Sequence, residues 1–438
     1  MLFQAKKEAI ILLLGDVIIF VFSLWAMLFI NYEGLPTMEE FSLHFEPFSI
    51  LFIVWIIVFF IAGLYEKHTT ILKNKLPSII LNTQIINVVI AITFFYLIPY
   101  FGITPKTNLF VYLVISLFLV LVWRLNGYKL FGSKRKQNAL LIGSGKEMED
   151  LKTEVNNNNK YALSFVSSVD LEDLSNVDFQ GEIVKRIYAD DINIIVADLK
   201  NDKVRGILPH LYNLIFSHIR FFDMHKVYED IFDRVPLSLV QYNWFIENIS
   251  TAPRLTYDFV KRTIDIILGL IFGLISLVLY PFIALVIKLD DGGSIFFLQE
   301  RVGENNKHIK IIKFRSMSDG KVTKVGHFLR VTRLDEVPQL WNVLYGDLSL
   351  IGPRPEIPEL VGGYEEQIPY YNIRHLIKPG LSGWAQLYHD NHPHHASDVA
   401  ETKVKLSYDL FYIKNRSVIL DLKIALKTLK KLISRAGK

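Results

Sequence analysis

Lys261-Arg262-Thr263-Ile264-Asp265-Ile266-Ile267-Leu268-Gly269-Leu270-Ile271-Phe272-Gly273-Leu274-Ile275-Ser276-Leu277-Val278-Leu279-Tyr280-Pro281-Phe282-Ile283-Ala284-Leu285-Val286-Ile287-Lys288 decides how this chain meets a membrane. The apolar part, Ile264 to Ile287, is long enough to span a bilayer, for which about 20 residues suffice. Pro281 interrupts it, because proline removes one helical hydrogen bond and bends the helix. Both flanks are basic, and the chain beyond stays rich in Lys and Arg through Arg333. The positive-inside rule therefore puts both ends on the cytoplasmic side. A helix about 264–287, broken near Tyr280-Pro281, that enters and leaves one leaflet satisfies both facts. The competing form, a full span kinked at Pro281, would put the C-terminal third outside the cell. The re-entrant form is expected.

Toward the N-terminus stand four more apolar runs, Ala9 to Ile30, Phe48 to Tyr65, Ile79 to Phe101 and Leu109 to Leu125. Each is about the length of a membrane helix, so residues 1–132 read as a bundle of four spans. A cleaved signal peptide does not fit the first run, since no small-residue cleavage site follows it and an acidic loop does. Lys6, Lys7, Lys67, Lys73, Lys75, Lys129, Lys134, Arg135 and Lys136 fall on one side. Glu33, Glu39, Glu40 and Glu46 fall on the other, opposed only by Lys106. The basic side is cytoplasmic by the same rule.

From Asn138 short apolar strands alternate with polar helical stretches: Ala139 to Ile142, Phe165 to Val169 and Ile192 to Ala197. This is the pattern of a parallel sheet with crossover helices, and residues 133–250 are expected to form a Rossmann-like α/β domain. The turn Gly143-Ser144-Gly145 could cradle a pyrophosphate, but Met148 replaces the third glycine of the dinucleotide fingerprint. A structural or regulatory domain is preferred over nucleotide binding. Asn156 to Asn159 reads as a loop.

Of 438 residues 51% are apolar, more than one soluble core needs, which agrees with spans in lipid. There is no cysteine, so carboxylates, His and Ser are left to carry any chemistry. The net charge of +4 comes with no nucleic-acid motif.

In residues 251–438 the stretch Arg330-Val331-Thr332-Arg333-Leu334-Asp335-Glu336-Val337-Pro338-Gln339-Leu340-Trp341-Asn342-Val343-Leu344 reads as a helix start. Asp335 suits an N-cap, Pro338 is tolerated in the first turn, and Leu334, Val337, Trp341 and Leu344 make an apolar stripe. The carboxylate pair alone would be a capping device. Its neighbours change that reading: Arg330 and Arg333 precede it, Lys313 and Arg315 lie in Ile312-Lys313-Phe314-Arg315-Ser316-Met317, and Arg354 lies between two prolines. Cations on several segments, one with a stiffened backbone, suit a diphosphate. Such neighbours favour ionised carboxylates, so Asp335 and Glu336 are expected to be charged at neutral pH. That suits a nucleophile or a ligand of Mg2+ rather than a general acid.

Lys261-Arg262-Thr263-Ile264-Asp265, Lys313-Phe314-Arg315-Ser316-Met317, Leu334-Asp335-Glu336-Val337-Pro338-Gln339-Leu340, Ser349-Leu350-Ile351-Gly352-Pro353-Arg354-Pro355, Lys378-Pro379-Gly380-Leu381-Ser382-Gly383-Trp384-Ala385-Gln386 and Tyr408-Asp409-Leu410-Phe411-Tyr412-Ile413 follow in order. Over about residues 255–438 the chain resembles the bacterial sugar transferase family, the monotopic polyprenyl-phosphate hexose-1-phosphate transferases. With the segments before it, it looks like the long members that initiate exopolysaccharide, capsule or O-antigen assembly at the inner membrane. The resemblance implies a mainly α catalytic domain on the cytoplasmic face, held by the re-entrant helix with Pro281 as its break. It implies a UDP-sugar donor, a polyprenyl phosphate acceptor, and Mg2+ on Asp335 and Glu336. Asp335 would be the nucleophile that expels UMP, and Glu336 the metal-positioning partner. Lys313, Arg315, Arg330 and Arg354 would hold phosphates, with Arg333 and Asp409 as further candidate site residues. A homodimer is compatible with this picture.

The chain departs from the family at Tyr388-His389-Asp390-Asn391-His392-Pro393-His394-His395, where many relatives carry a Gly-Arg segment. A transition-metal site is one reading; a polar loop near the sugar or uridine pocket is preferred. The last helix, from Ser417, sets Val418, Ile419, Leu422, Ala425, Leu426, Leu429 and Ile433 against Lys423, Lys427, Lys430, Lys431 and Arg435. It reads equally as a helix on an anionic leaflet and as one packed on the catalytic domain. A dehydratase or epimerase acting at Gly143 would expect a Tyr-x-x-x-Lys base motif beside that domain, and none is found. A non-enzymatic membrane scaffold would leave the Lys313, Asp335 and Arg354 motifs without a purpose.

Overall fold

The computed structural model describes residues 2–32, 34–65, 76–98, 106–130, 136–158, 161, 163–172, 179–213, 219–249, 254–388 and 398–433. The chain forms two compact units, Met1–Phe222 and Asp223–Lys438.

The first unit opens with α1 (Leu2–Asn31), α2 (Met38–Ile61), α3 (Leu76–Leu97) and α4 (Lys106–Leu130). Ile10–Asn31 of α1, all of α2, and Ile79–Leu97 of α3 are long and apolar enough to cross a bilayer; the apolar part of α4, Leu109–Arg124, is shorter. These helices mark a membrane protein. The acidic stretch expected as a loop is instead the first turns of α2. Thr37 and Glu40 form a capping box, each side chain taking the other's backbone N–H, which starts the helix ahead of its apolar run. Phe20, Phe48, Phe59, Trp55 and Tyr112 fill the bundle core. Within it the Asp16 carboxylate pairs with Arg124 and accepts from the Tyr65 hydroxyl at 2.8 Å, while Arg124 Nη1 donates to the Leu64 carbonyl at 2.7 Å. Charges this deep persist only when paired.

The rest of this unit is the expected parallel α/β arrangement. Strands β1 (Gln137–Gly143), β2 (Leu163–Asp170), β3 (Ile194–Ala197) and β4 (Arg220–Asp223) stand in the order β2-β1-β3-β4, with helices α5 (Gly145–Asn157), α6 (Phe179–Ala189) and α7 (Asp202–Asn213) between them. Both β2 and β3 run parallel to β1. Gly145 has φ +78°, a conformation that favours glycine, and Met148 is a buried core residue. Asn156 and Asn157 close α5 rather than form a loop. The Asn156 amide bonds both the N–H and the C=O of Phe165 and so satisfies the backbone beside a bulge in β2.

The second unit begins with α8 (Met224–Phe232) and α9 (Tyr242–Asn248). Sequence grouped residues 223–249 with the α/β region, yet they pack here. Val235, Val240, Trp244 and Phe245 share a core with Val302, Tyr364, Tyr371 and Leu410. Lys414 bonds both Glu229 oxygens at 2.9 and 2.8 Å. Helices α10 (Leu255–Leu277) and α11 (Tyr280–Asp291) follow, bent by 55° across a two-residue break. Pro281 sits in the first turn of α11, where its missing N–H ends the α10 ladder.

Beyond them lie the antiparallel pair β5 (Phe296–Val302) and β6 (His308–Phe314), a two-residue hairpin β7 (Met317–Ser318) and β8 (Lys321–Val322), and α12 (Lys324–Val331). A 3-10 turn, Leu334–Glu336, leads into α13 (Gln339–Tyr345). The parallel pair β9 (Ser349–Ile351) and β10 (Gly380–Ser382) flanks α14 (Pro358–Gln367) and a further 3-10 helix, Tyr371–Leu376. The unit ends in α15 (Trp384–Tyr388), α16 (Val399–Asn415) and α17 (Val418–Ile433).

Candidate active site

The dyad stands on a sharply turned segment. Arg333 takes a left-handed backbone, φ 57°, which ends the path of α12 and starts the 3-10 turn carrying Asp335 and Glu336. Asp335 is not an N-cap. That position before α13 belongs to Pro338, and Asp335 lies inside the preceding turn, 8% exposed. Nor is the apolar stripe the most buried face. Asp335, Gln339 and Asn342 are buried, whereas Leu334, Val337, Trp341 and Leu344 are half-buried.

The two faces of this segment have separate tasks. Toward α10, a side chain on Gly269 would meet Leu344 at 3.3 Å and Val343 at 3.5 Å, so the helices approach at bare backbone. Trp341 Nε1 donates to the Tyr280 hydroxyl at 3.1 Å, beside the helix break, and Arg262 bonds the Val343 and Leu344 carbonyls at 2.7 and 2.8 Å. Toward β6, the Asn342 amide accepts from Ile312 N at 3.0 Å and donates to the Lys310 carbonyl at 2.8 Å, fixing the strand that carries Lys313. The turn is thereby mounted on the bent membrane helix on one side and the lysine strand on the other.

Glu336 is the hub of the charges. Its Oε1 accepts from Arg354 Nη2 at 2.8 Å and lies 3.6 Å from Lys313 Nζ; its Oε2 is 4.0 Å from Arg333. Burial alone would raise its pKa, but Arg354 and Lys313 hold the carboxyl down at about 2. Asp335 goes the other way. Burial, then the Glu336 charge, pushes it up to about 6 against the pull of Lys313, Arg330 and Arg354. Glu336 is thus held ionised, as expected, whereas the surroundings expected to favour the Asp335 anion are outweighed by burial and by Glu336, which leaves Asp335 much the more basic. Burial holds Lys313 below the usual ammonium range, Arg354 and Arg301 adding to the effect and Glu336 opposing it.

Not every expected cation is brought in. Arg330 is, acting on Asp335 and donating through Nε to Ser316 Oγ at 2.9 Å. Arg315 instead pairs with Asp291 at the end of α11 and lies over Gly293, where any side chain would collide with its guanidinium. Asp409 lies behind Arg354 and reaches it only through Arg374. The His389 to His395 cluster lies outside the described residues.

Sequence reading passed over Arg301, Gln339, Asn342 and Arg374. Arg301 projects from β5 near Arg354, Glu356 and Glu336. Gln339 is 4% exposed and its Nε2 has no hydrogen-bond partner. The polar spacing 335, 339, 342 was visible as a helical stripe; nothing in the sequence singled out the two arginines.

Among the described residues no group of three or more metal-ligating side chains is gathered. Burial and the charges of Glu336, Lys313, Arg330 and Arg354 act on the Asp335 carboxylate, and no hydrogen bond among the described residues engages its oxygens, which suits a hard cation. Glu336 offers Oε2, since Oε1 is engaged by Arg354 and Lys313. This pair fits Mg2+ provided that substrate oxygens and water complete the shell.

The model of the bacterial sugar transferase family matches residues 256–435, which contain the whole of this site. The exopolysaccharide production protein PSS of Rhizobium leguminosarum bv. phaseoli is 38% identical over 186 residues, 38% of this chain and 92% of that protein. The chain belongs to the bacterial sugar transferase family. A UDP-N-acetylgalactosamine-undecaprenyl-phosphate N-acetylgalactosaminephosphotransferase of Aeromonas hydrophila is 37% identical over 258 residues, 56% of this chain and 59% of that protein. A UDP-glucose:undecaprenyl-phosphate glucose-1-phosphate transferase of Escherichia coli (strain K12) is 44% identical over 184 residues, 38% of this chain and 39% of the relative. This member of the family therefore spans less than two thirds of the length of these last two relatives.

Proposed function

We propose that the protein transfers a sugar 1-phosphate from a UDP-sugar to polyprenyl phosphate, releasing UMP, as the first membrane step of exopolysaccharide, capsule or O-antigen assembly. The observation that carries this reading is the unequal carboxylate pair: Glu336 is committed to Arg354 and Lys313, while Asp335 is buried, unbonded and basic. Family membership and the relatives' names support the substrate classes.

In the proposed mechanism an Asp335 oxygen attacks the phosphorus that bears the sugar. An acyl phosphate bond forms as the bridging P–O bond to UMP breaks, and UMP carries away the negative charge. A phosphate oxygen of the polyprenyl phosphate then attacks the same phosphorus, which frees the Asp335 carboxylate and leaves the sugar on a lipid diphosphate. Lys313, Arg330, Arg333 and Arg354 stabilise charge on the transferring phosphates, and Arg315 supports the end of α11. Mg2+ held by Asp335 and Glu336 would neutralise donor phosphate charge.

The topology proposed with it has four N-terminal spans and α10–α11 as a re-entrant pair, with the second unit on the cytoplasmic face of the inner membrane. Basic residues at both ends of the bent pair support that placement. It lets one site reach a cytoplasmic nucleotide sugar and a lipid phosphate at the bilayer surface.

The test supplies purified protein with Mg2+, polyprenyl phosphate and a panel of UDP-sugars, and follows UMP. Release with one donor and a ping-pong initial-rate pattern are expected. Absence of UMP with every donor would sink the transferase reading, and a ternary-complex pattern would remove the covalent step.

A further inference from the structure

Arg354 is carried on a strap in which four consecutive carbonyls are each pinned by a different donor. Pro353 O accepts from Gly380 N at 2.9 Å, Arg354 O from Arg374 Nη2 at 3.0 Å, Pro355 O from Arg301 Nη1 at 3.3 Å, and Glu356 O from Val302 N at 2.9 Å. Prolines on either side of Arg354 fix their own φ, so little backbone freedom remains. Two of the four pins are backbone amides of β10 and β5. The other two are arginine side chains, and Arg374 is the one that holds Arg354 itself.

Arg374 is buried and heavily braced. Its Nη1 donates to the Tyr371 hydroxyl at 2.6 Å and lies 3.6 Å from Glu356 Oε1, and Nη2 lies 2.9 Å from Asp409 Oδ2. At that distance Asp409 braces Arg374 through its charge, and the guanidinium in turn opposes the rise that burial imposes on the Asp409 carboxyl. A buried ion pair is weak evidence for stability, because apolar side chains of similar volume often serve as well. What apolar side chains could not supply is the bond from Arg374 to the Arg354 carbonyl.

Resting on the transferase reading above, we propose that Arg374, braced by Asp409, is a positioning residue for donor binding. Its bond to the Arg354 carbonyl fixes the Arg354 guanidinium between Glu336 and a phosphate of the nucleotide-sugar donor. Arg374 touches neither substrate nor the reacting atoms; it acts through Arg354. The planar fork matters, because one guanidinium reaches the carbonyl, the tyrosine and the carboxylates at once, which a lysine cannot do.

The test is a double-mutant cycle on the full chain in lipid nanodiscs, pairing Arg374→Lys with Arg354→Ala. The donor KM and kcat are read from UMP release, UDP affinity from calorimetry, and folding from thermal melts. Arg374→Lys alone is expected to raise the donor KM and weaken UDP at least about 10-fold, with kcat changed less than about 3-fold. In the Arg354→Ala background the same change is expected to add less than about 2-fold, since the residue it acts through is gone. Equal factors in the two backgrounds, or an unchanged KM and UDP affinity in folded Arg374→Lys, would overturn the proposal. If Arg374→Lys does not fold, Asp409→Asn, which keeps the shape and removes the charge, goes through the same cycle, where the same results support or overturn the proposal. Failure of the transferase reading would look different. Wild type would release no UMP with any donor, while the UDP cycle would still report the coupling; absence of UDP binding by wild type would overturn both.

Discussion

Two adjacent carboxylates with opposite displacements give the residue scale its predictions. The reactive form of Asp335 is the anion, so the donor-limited rate should fall as pH drops through about 6, with an acid limb that Glu336, held at about 2, cannot supply. Moving Arg354 to Lys or Ala should carry that limb upward, because a cation that favours the anion is weakened or lost. Stability adds a second, independent sign. Between about 4 and 6 folded Asp335 keeps a proton that the unfolded chain has released, so its ionisation costs the fold as pH rises through that window. Asp335→Asn should therefore abolish UMP release while raising the melting temperature at pH 7.5, with an upper bound of about 3 kcal/mol. A variant that melts lower and still turns over would contradict both halves. Glu336 has the usual sign: its contribution is present above about 4.5 and is lost as pH falls toward 2. Gln339→Met, which removes a buried donor without a partner, should be neutral or stabilising in the same melts. The dyad was legible because carboxylates beside arginines and prolines are conspicuous. Which cations face it was not, since that turns on the left-handed backbone at Arg333 and on the empty space at Gly293 that draws Arg315 toward Asp291.

At the scale of elements, the apolar run and its proline foretold a break between α10 and α11, because the absence of one N–H is a local fact. What the dyad rests on was beyond local reading. Gly269 and Gly273 look like ordinary membrane-helix glycines, yet the first makes the close approach that brings α13 against α10. Gly269→Val should overpack that contact and cost about 1–3 kcal/mol, seen as a lower melting temperature with donor KM rising as the turn shifts. Unchanged melting would mean that Leu344 and Val343 yield freely. The last helix shows how two open readings divide. Lys423 lies over the Trp384 ring, Lys427 bonds the Tyr388 hydroxyl and Lys431 the Gln386 carbonyl, so these lysines face the domain. Ile419, Leu422, Leu429 and Leu432 remain exposed along the other side. Helical periodicity located both stripes without saying which faced inward, because Trp384 and Tyr388 reach that helix only through the tertiary fold.

For the whole molecule the informative comparison is one of extent, since 92% of the Rhizobium relative aligns with only 38% of this chain. A catalytic segment that accounts for most of one protein here follows a membrane bundle and an α/β region. The second unit, however, begins at Asp223, about thirty residues before the family match at 256. Those extra residues are part of its packing. Trp384 Nε1 donates to the Asp233 carbonyl at 2.8 Å, Glu229 takes both bonds of Lys414, and Trp244 and Phe245 enter the same core as Tyr371, which holds Arg374. A chain of residues 223–438 should therefore fold in nanodiscs and release UMP with a donor KM near that of the full protein. A chain of residues 251–438, cut where composition changes, leaves Lys414 without its carboxylate and exposes the apolar face that Val235, Val240, Trp244 and Phe245 cover. It should melt lower and show a raised donor KM, because the bracing behind Arg354 rests on that core. Equal melting and equal kinetics for the two fragments would detach residues 223–250 from the catalytic unit. Loss of activity in both would instead show that the first unit is required for turnover.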